Sequence, residues 1–74
     1  MDWRKHIEAK PDIMLGKPVI KGTRIPVEII LRRLGEGADI EEILKAYPGL
    51  TRDDVLACIN YSAQVIAEEE IVVP

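Results

Sequence analysis

The sequence predicts a mainly α fold, a three-helix helix-turn-helix domain with a small N-terminal β-sheet or strand arm, which we expect to be dimeric. Apolar residues recur at helical spacing in three segments between positions 26 and 68, whereas glycine and proline break the first 25 residues into short apolar runs. The chain has 74 residues, which suffice for one domain, and a domain this small buries only about 60% of the surface that its unfolded chain exposes. Because a lone cysteine excludes an internal disulfide, dimerisation is the expected additional source of stability.

We therefore treat residues 1–74 as a single domain with short strands and turns over 5–25, three helices over 26–68 and a tail over 69–74. In the first part, short strands are predicted at 6–9, 18–20 and 23–25, and Gly22 suits a tight connection because glycine tolerates positive φ. Pro18 and Pro26 would stiffen this arm for pairing with the strand of a second copy. The N-terminal region is thus predicted to form a small sheet and the dimer contact.

The first predicted helix begins at Pro26, whose fixed φ suits a first helical turn, and ends at the glycines Gly35 and Gly37. Asp39 is a good N-cap for a second helix over 40–47, which Pro48-Gly49 ends. The apolar positions of the first helix are Val27, Ile30, Leu31 and Leu34.

Thr51 is the predicted N-cap of a third and longest helix that ends near Glu68. Its amphipathic stripe consists of Val55, Leu56, Ile59, Ala63 and Ile66. The connection over 48–51 has the length that joins the two helices of a helix-turn-helix, and Leu50 is expected to fill the corner between them.

Charge divides the chain into a basic and an acidic half. Residues 1–33 carry eight basic and four acidic groups, 8 − 4 = +4, and residues 34–74 carry two basic and nine acidic groups, 2 − 9 = −7, which sum to the net charge of −3. No run approaches the roughly 18 apolar residues of a membrane span, and the N-terminus lacks the apolar run of a signal peptide. We expect a cytoplasmic protein without contact to a membrane.

The string from Gly16 to Val27, Gly-Lys-Pro-Val-Ile-Lys-Gly-Thr-Arg-Ile-Pro-Val, closely resembles a bacterial family known as the domain of unknown function 433 family. The resemblance extends over about residues 5–65 and includes Leu34-Gly35-Glu36-Gly37, Glu42-Ile43-Leu44, Tyr47-Pro48 and Leu50-Thr51. It implies a winged-like or strand-decorated helix-turn-helix fold. It also implies an antitoxin-like role, in which a homodimer neutralises a PIN-like ribonuclease toxin and binds its own operator DNA.

An alternative function is that of a stand-alone helix-turn-helix transcriptional regulator that binds double-stranded DNA. Its third helix would enter the major groove, where Arg52 has the donor geometry for guanine, although Asp53 and Asp54 would repel phosphates. Arg24 would make an ionic contact to phosphate or, as a structural alternative, a buried bridge to Glu28. The complete set of candidate DNA-binding residues is Lys17, Lys21, Arg24, Arg52, Asn60 and Gln64.

Two regions are candidates for binding a protein partner. Trp3 lies among charged residues, so it is either a lid on the sheet or an anchor in an interface, a role that tryptophan often takes. The tail that follows residue 69 could be a strand, a disordered segment or a docking segment, and its apolar residues are Ile71, Val72 and Val73.

The sequence offers no obvious active site. One histidine, His6, and one distant cysteine, Cys58, are a poor basis for a nucleophile with its base or for a zinc site. Cys58 is expected in the core and His6 at the surface or in a strand, and the carboxylate pairs 41–42 and 53–54 each open a helix, where the helix dipole favours them. We expect a protein that is not an enzyme and that needs no metal or cofactor.

Overall fold

The computed structural model describes residues 1–69 and contains two short strands and three α-helices. A 3₁₀ turn at Trp3–Lys5 precedes β1 (Ile7–Glu8), and a second at Met14–Gly16 precedes β2 (Val19–Ile20). The helices are α1 (Val27–Gly35), α2 (Ile40–Ala46) and α3 (Arg52–Glu68). The predicted mainly α fold with a small N-terminal sheet is confirmed. The candidate docking residues 71–73 lie outside the described residues.

The sheet consists of β1 and β2 in antiparallel register, with Ile7 opposite Ile20 and Glu8 opposite Val19. The third predicted strand, at 23–25, is wrong: these residues form no strand, and an isolated bridge joins Val19 to Pro26 just after them. The hydroxyl of Thr23 explains the difference: it donates to the carbonyl of Ile20 and accepts from the N–H of Ile25, which holds a turn instead.

Both edges of β2 are used within the chain. On one side it pairs with β1. On the other side the N–H of Ile20 donates to the carbonyl of Ile25, and the N–H of Val27 donates to the carbonyl of Pro18, each at 3.0 Å. The predicted pairing of this arm with a second copy would therefore have to use the two-residue edge of β1.

The helix ends follow the local sequence. Pro26 is the N-cap of α1 in an extended conformation, one residue earlier than the first-turn position predicted for it. Gly37 ends that helix with φ of 102°, a conformation that glycine adopts without strain. Asp39 caps α2 and Thr51 caps α3, both as predicted, and each belongs to a capping box with the acidic residue three positions later.

The core lies where the sheet and the three helices meet. Leu50 in the connection between α2 and α3 is 6% exposed and fills the corner, as the sequence predicts. The other buried residues are Ile7, Val19, Ile20, Pro26, Val27, Ile30, Ile43, Val55, Ala57 and Cys58. Among residues 1–69, none of the helices combines the length and apolarity that a membrane crossing requires.

Candidate interaction surfaces

The basic residues around the Gly22 turn lie at the surface. Lys17 donates to Glu28 at 2.9 Å, whereas Lys21 and Arg24 are exposed and form no ion pair within residues 1–69. The predicted alternative of a buried bridge between Arg24 and Glu28 is wrong, because Glu28 is exposed and pairs with Lys17 and, at 3.7 Å, with Arg32. Two free cations thus flank a turn that the sheet holds in place.

The N-terminus of α3 is acidic. Arg52 and Asp53 are exposed in its first turn, while Asp54 is half-buried. Asp54 accepts from the backbone N–H of Thr51 at 2.9 Å, and its own N–H donates to the Thr51 hydroxyl. One cation and one free carboxylate therefore stand at the position from which a helix-turn-helix reads bases.

Asp54 also holds the histidine. His6 Nδ1 lies 2.9 Å from Oδ1 of Asp54 and donates to it, since a carboxylate only accepts. Burial opposes ionisation of Asp54, but the hydrogen bonds from Thr51 and His6 outweigh it and lower the pKa of this carboxyl. The sequence predicts no contact between His6 and Asp54, because a separation of 48 residues gives no local signal.

The N-terminal segment covers one flank of α3. The indole N–H of Trp3 donates to Oε1 of Gln64 at 2.7 Å, and its ring meets that of Tyr61 edge to face with centroids 4.8 Å apart. Asn60 donates weakly to the sulfur of Met1 at 3.5 Å. Trp3 is therefore half-buried against α3 and the core cluster that includes Ile7 and Ile20. Two candidate base-reading side chains, Asn60 and Gln64, contact residues at the N-terminus of the chain.

Cys58 is fully buried, as predicted, and burial together with the charge of Asp54 raises the pKa of its thiol to about 11. A thiol with so high a pKa is a poor nucleophile. Across residues 1–69, no three histidine, cysteine, aspartate or glutamate side chains are close enough to hold a metal ion.

The turn at residues 14–16 exposes two apolar side chains to solvent. It was not among the candidate sites predicted from the sequence. Leu15 is 94% exposed and Met14 is 40% exposed. Both have left-handed backbone, with φ of 57° and 49°, and Gly16 continues the same conformation at 82°. An isolated exposed leucine is common, but two apolar residues in a conformation that L-residues avoid are not.

The amphipathic stripe of α3 is buried only in part. Val55 is fully buried, but Ile59 is 40% exposed and Ile66 is 66% exposed, and Ala63 between them is exposed as well. Val65, outside the predicted stripe, is 39% exposed. The C-terminal half of α3 therefore presents an uncovered apolar face.

These features define a small helix-turn-helix domain whose exposed large apolar side chains include those of the turn at residues 14–16 and of the C-terminal half of α3. The family described as a protein of unknown function, DUF433, matches residues 7–62. The chain belongs to this family, in agreement with the resemblance found in its sequence.

Two relatives support the assignment. An uncharacterized protein of Sinorhizobium fredii (strain NBRC 101917 / NGR234), y4eO, is 35% identical over 59 residues, which are 80% of this chain and 27% of that protein. The crystal structure of a DUF433 member from Anabaena variabilis has a TM-score of 0.77 and 35% identity, and the match covers 84% of this chain and 61% of that one. The chain thus spans about a quarter of the first relative and under two thirds of the second.

Proposed function

We propose that this protein is an antitoxin-like interaction protein that binds and neutralises a PIN-like ribonuclease. Support for the role comes from the family resemblance of its sequence. Support for binding through a protein surface comes from the apolar turn, Met14–Gly16, and this is the observation that carries the proposal.

The physical argument rests on the energy of the turn. A left-handed conformation costs an L-residue roughly 1–2 kcal/mol, and the side chain of Leu15 recovers nothing for this chain, because it is 94% exposed. Strained backbone that presents an unburied apolar side chain is a feature of binding sites, where contact with a partner offsets the cost. Leu15 is therefore the side chain that would enter an apolar pocket of the ribonuclease.

The decisive experiment replaces Leu15 with asparagine, which tolerates left-handed backbone and removes the apolar side chain. We expect the Leu15→Asn variant to bind a PIN-like ribonuclease encoded beside it at least ten-fold more weakly, as measured by calorimetry, and to release its RNase activity. The free energy of unfolding of the variant should stay level or rise by about 1 kcal/mol, so that lost binding is not lost folding.

The matched control is Ile29→Gln, which removes an apolar side chain that is 37% exposed on regular helix, in α1. This variant should bind as the wild type does. If Leu15→Asn binds equally well, the turn is not the docking surface. Deletion of residues 69–74 then tests the tail predicted from the sequence, whose removal should abolish complex formation if Ile71, Val72 and Val73 dock.

Operator binding is a second, weaker candidate, favoured by the helix-turn-helix connection and by the exposed cations Lys21, Arg24 and Arg52. The exposed carboxylate of Asp53 at the start of α3 opposes it, and Gln64 is engaged by Trp3. Each phosphate contact contributes about −0.9 to the slope of log affinity against log salt. A slope near zero with double-stranded operator DNA would exclude this binding mode and leave the protein partner.

A further inference from the structure

A recess lies just after the apolar turn, where the start of α1 runs beside β2. The N–H of Val27 donates to the carbonyl of Pro18 at 3.0 Å, and Val19 forms a bridge with Pro26. This pairing brings the two prolines together at a recess of about 250 Å³. The residues that line it are Lys17, Pro18, Pro26 and Glu28.

The two prolines make the recess apolar and hold its shape. A proline ring fixes its own φ and carries no backbone N–H. Lys17, directly before Pro18, has φ of −66° and ψ of 148°, and Pro26 has φ of −67° and ψ of 141°. These are polyproline II values, and segments in this conformation are recognised by aromatic side chains that pack on the proline rings. The recess therefore suits a flat aromatic ring.

The rim of the recess carries an ionised carboxylate. Nζ of Lys17 lies 2.9 Å from Oε1 of Glu28, and the guanidinium of Arg32 lies 3.7 Å from Oε2. The hydrogen bond from Lys17 lowers the pKa of Glu28, and an ionised carboxylate only accepts hydrogen bonds. An incoming cation would meet Lys17 and Arg32, and an incoming anion would meet Glu28, whereas a neutral donor can bind to the carboxylate. The charges thus favour an uncharged hydrogen-bond donor.

Tyrosine and tryptophan combine an aromatic ring with one uncharged donor. We propose that the recess binds a tyrosine or tryptophan side chain of the protein partner, next to the partner's pocket for Leu15. This inference rests on the proposed function, because the partner is the PIN-like ribonuclease of that proposal. Each of the two surfaces then inserts one side chain into the other.

The recess and Leu15 are close enough to serve one interface. Leu15 and Lys17 are two residues apart, so their Cα atoms are separated by at most about 7.6 Å. A standard interface covers about 800 Å² on each partner, which extends well beyond this distance. A partner centred on Leu15 therefore extends to the recess.

The first test uses the aromatic group alone, as N-acetyl-tryptophanamide titrated into the millimolar range and followed by carbon–proton NMR of the proline rings. We expect saturating ring-current shifts at Pro18 and Pro26 and none at Pro11 or Pro48. N-acetyl-leucinamide is the matched control and should shift none of them. Absent shifts, equal shifts at Pro11, or equal shifts with the leucine compound would overturn the proposal.

The second test changes the recess. Pro18→Ala removes one wall but keeps the carbonyl that accepts from Val27, and it should bind both N-acetyl-tryptophanamide and the ribonuclease roughly five-fold more weakly. Pro11→Ala, at an exposed proline outside the recess, should bind both as the wild type does. Glu28→Ala removes the acceptor at an exposed site, so it tests the rim without disturbing the core, and it should weaken both as well.

Failure of the aromatic contact is distinguishable from failure of the proposed function. Leu15→Asn lies outside the recess, so it should bind N-acetyl-tryptophanamide normally while it loses the ribonuclease. If Pro18→Ala and Glu28→Ala bind the ribonuclease as tightly as the wild type and Leu15→Asn does not, the aromatic contact is wrong and the proposed function stands. A wild type that binds N-acetyl-tryptophanamide at the two prolines but does not bind the ribonuclease would support the aromatic site and overturn the proposed function.

Discussion

The two halves of α3 carry similar side chains but have different surroundings. In the N-terminal half, Val55, Ala57 and Cys58 are fully buried. From Ile59 to Glu68, no residue is buried, although this half contains three of the exposed large apolar side chains. A continuous amphipathic pattern therefore indicates which positions favour burial. Packing against the neighbouring elements determines which of those positions are buried.

The first residues of the chain contact the C-terminal half. Within residues 1–69, the side-chain hydrogen bonds and aromatic contacts of this half with other elements are those of Asn60 with Met1 and of Tyr61 and Gln64 with Trp3. On another side of this half, Ile59 and Ile66 are exposed. The two halves thus differ in packing, and substitutions that change only packing can test this difference.

The largest expected effect comes from a matched pair of valines. Val55→Ala removes two methyl groups from a site with no exposure and should lower the free energy of unfolding by about 2–3 kcal/mol, from lost transfer energy and the cavity left behind. Val65→Ala, at a site 39% exposed, should change it by less than about 0.5 kcal/mol. Urea denaturation of both variants measures the contrast, and equal losses would show that the C-terminal half is packed after all.

A smaller effect is expected where His6 ties the N-terminal segment to the buried half. Because the pKa of Asp54 is lowered in the folded state, its charge stabilises the fold above the pKa of the unfolded carboxyl, and this contribution is lost as pH falls through the folded pKa. Asp54→Asn should cost about 1 kcal/mol at pH 7, and the difference from wild type should shrink below about pH 4. Denaturation at pH 7 and pH 3 checks this, and a difference that persists at pH 3 would contradict the assigned role of the charge.

The smallest effect is expected at the contact between Trp3 and the C-terminal half of α3. Gln64→Ala leaves the indole N–H of Trp3 without its acceptor and should cost about 0.5 kcal/mol, because this hydrogen bond is only partly buried. The loss should be seen as faster amide hydrogen exchange over residues 59–68. Asn60→Ala is the control, because its contact with the sulfur of Met1 is long at 3.5 Å and sulfur is a weak acceptor. Equal exchange in the two variants would mean that Trp3 does not stabilise this half.

Local chemistry was sufficient to predict most of the architecture from the sequence. Asp39 and Thr51 define helix starts because a side-chain oxygen three residues before a backbone N–H satisfies it wherever the helix lies. Leu50 and Cys58 were placed in the core by their position in an apolar pattern, and the glycine and proline breaks separated the short strands. The family could be recognised from one continuous string, Gly16 to Val27.

The tertiary structure decided what local patterns leave open. His6 meets Asp54 across 48 residues and Trp3 meets Gln64 across 61, and no spacing in a sequence encodes such pairs. Ile59, Ile66 and Leu15 are likewise exposed because no other element of the described chain packs over them. Helix periodicity and capping depend on neighbours within a few residues, so the sequence alone determines them, whereas burial depends on the whole packed chain.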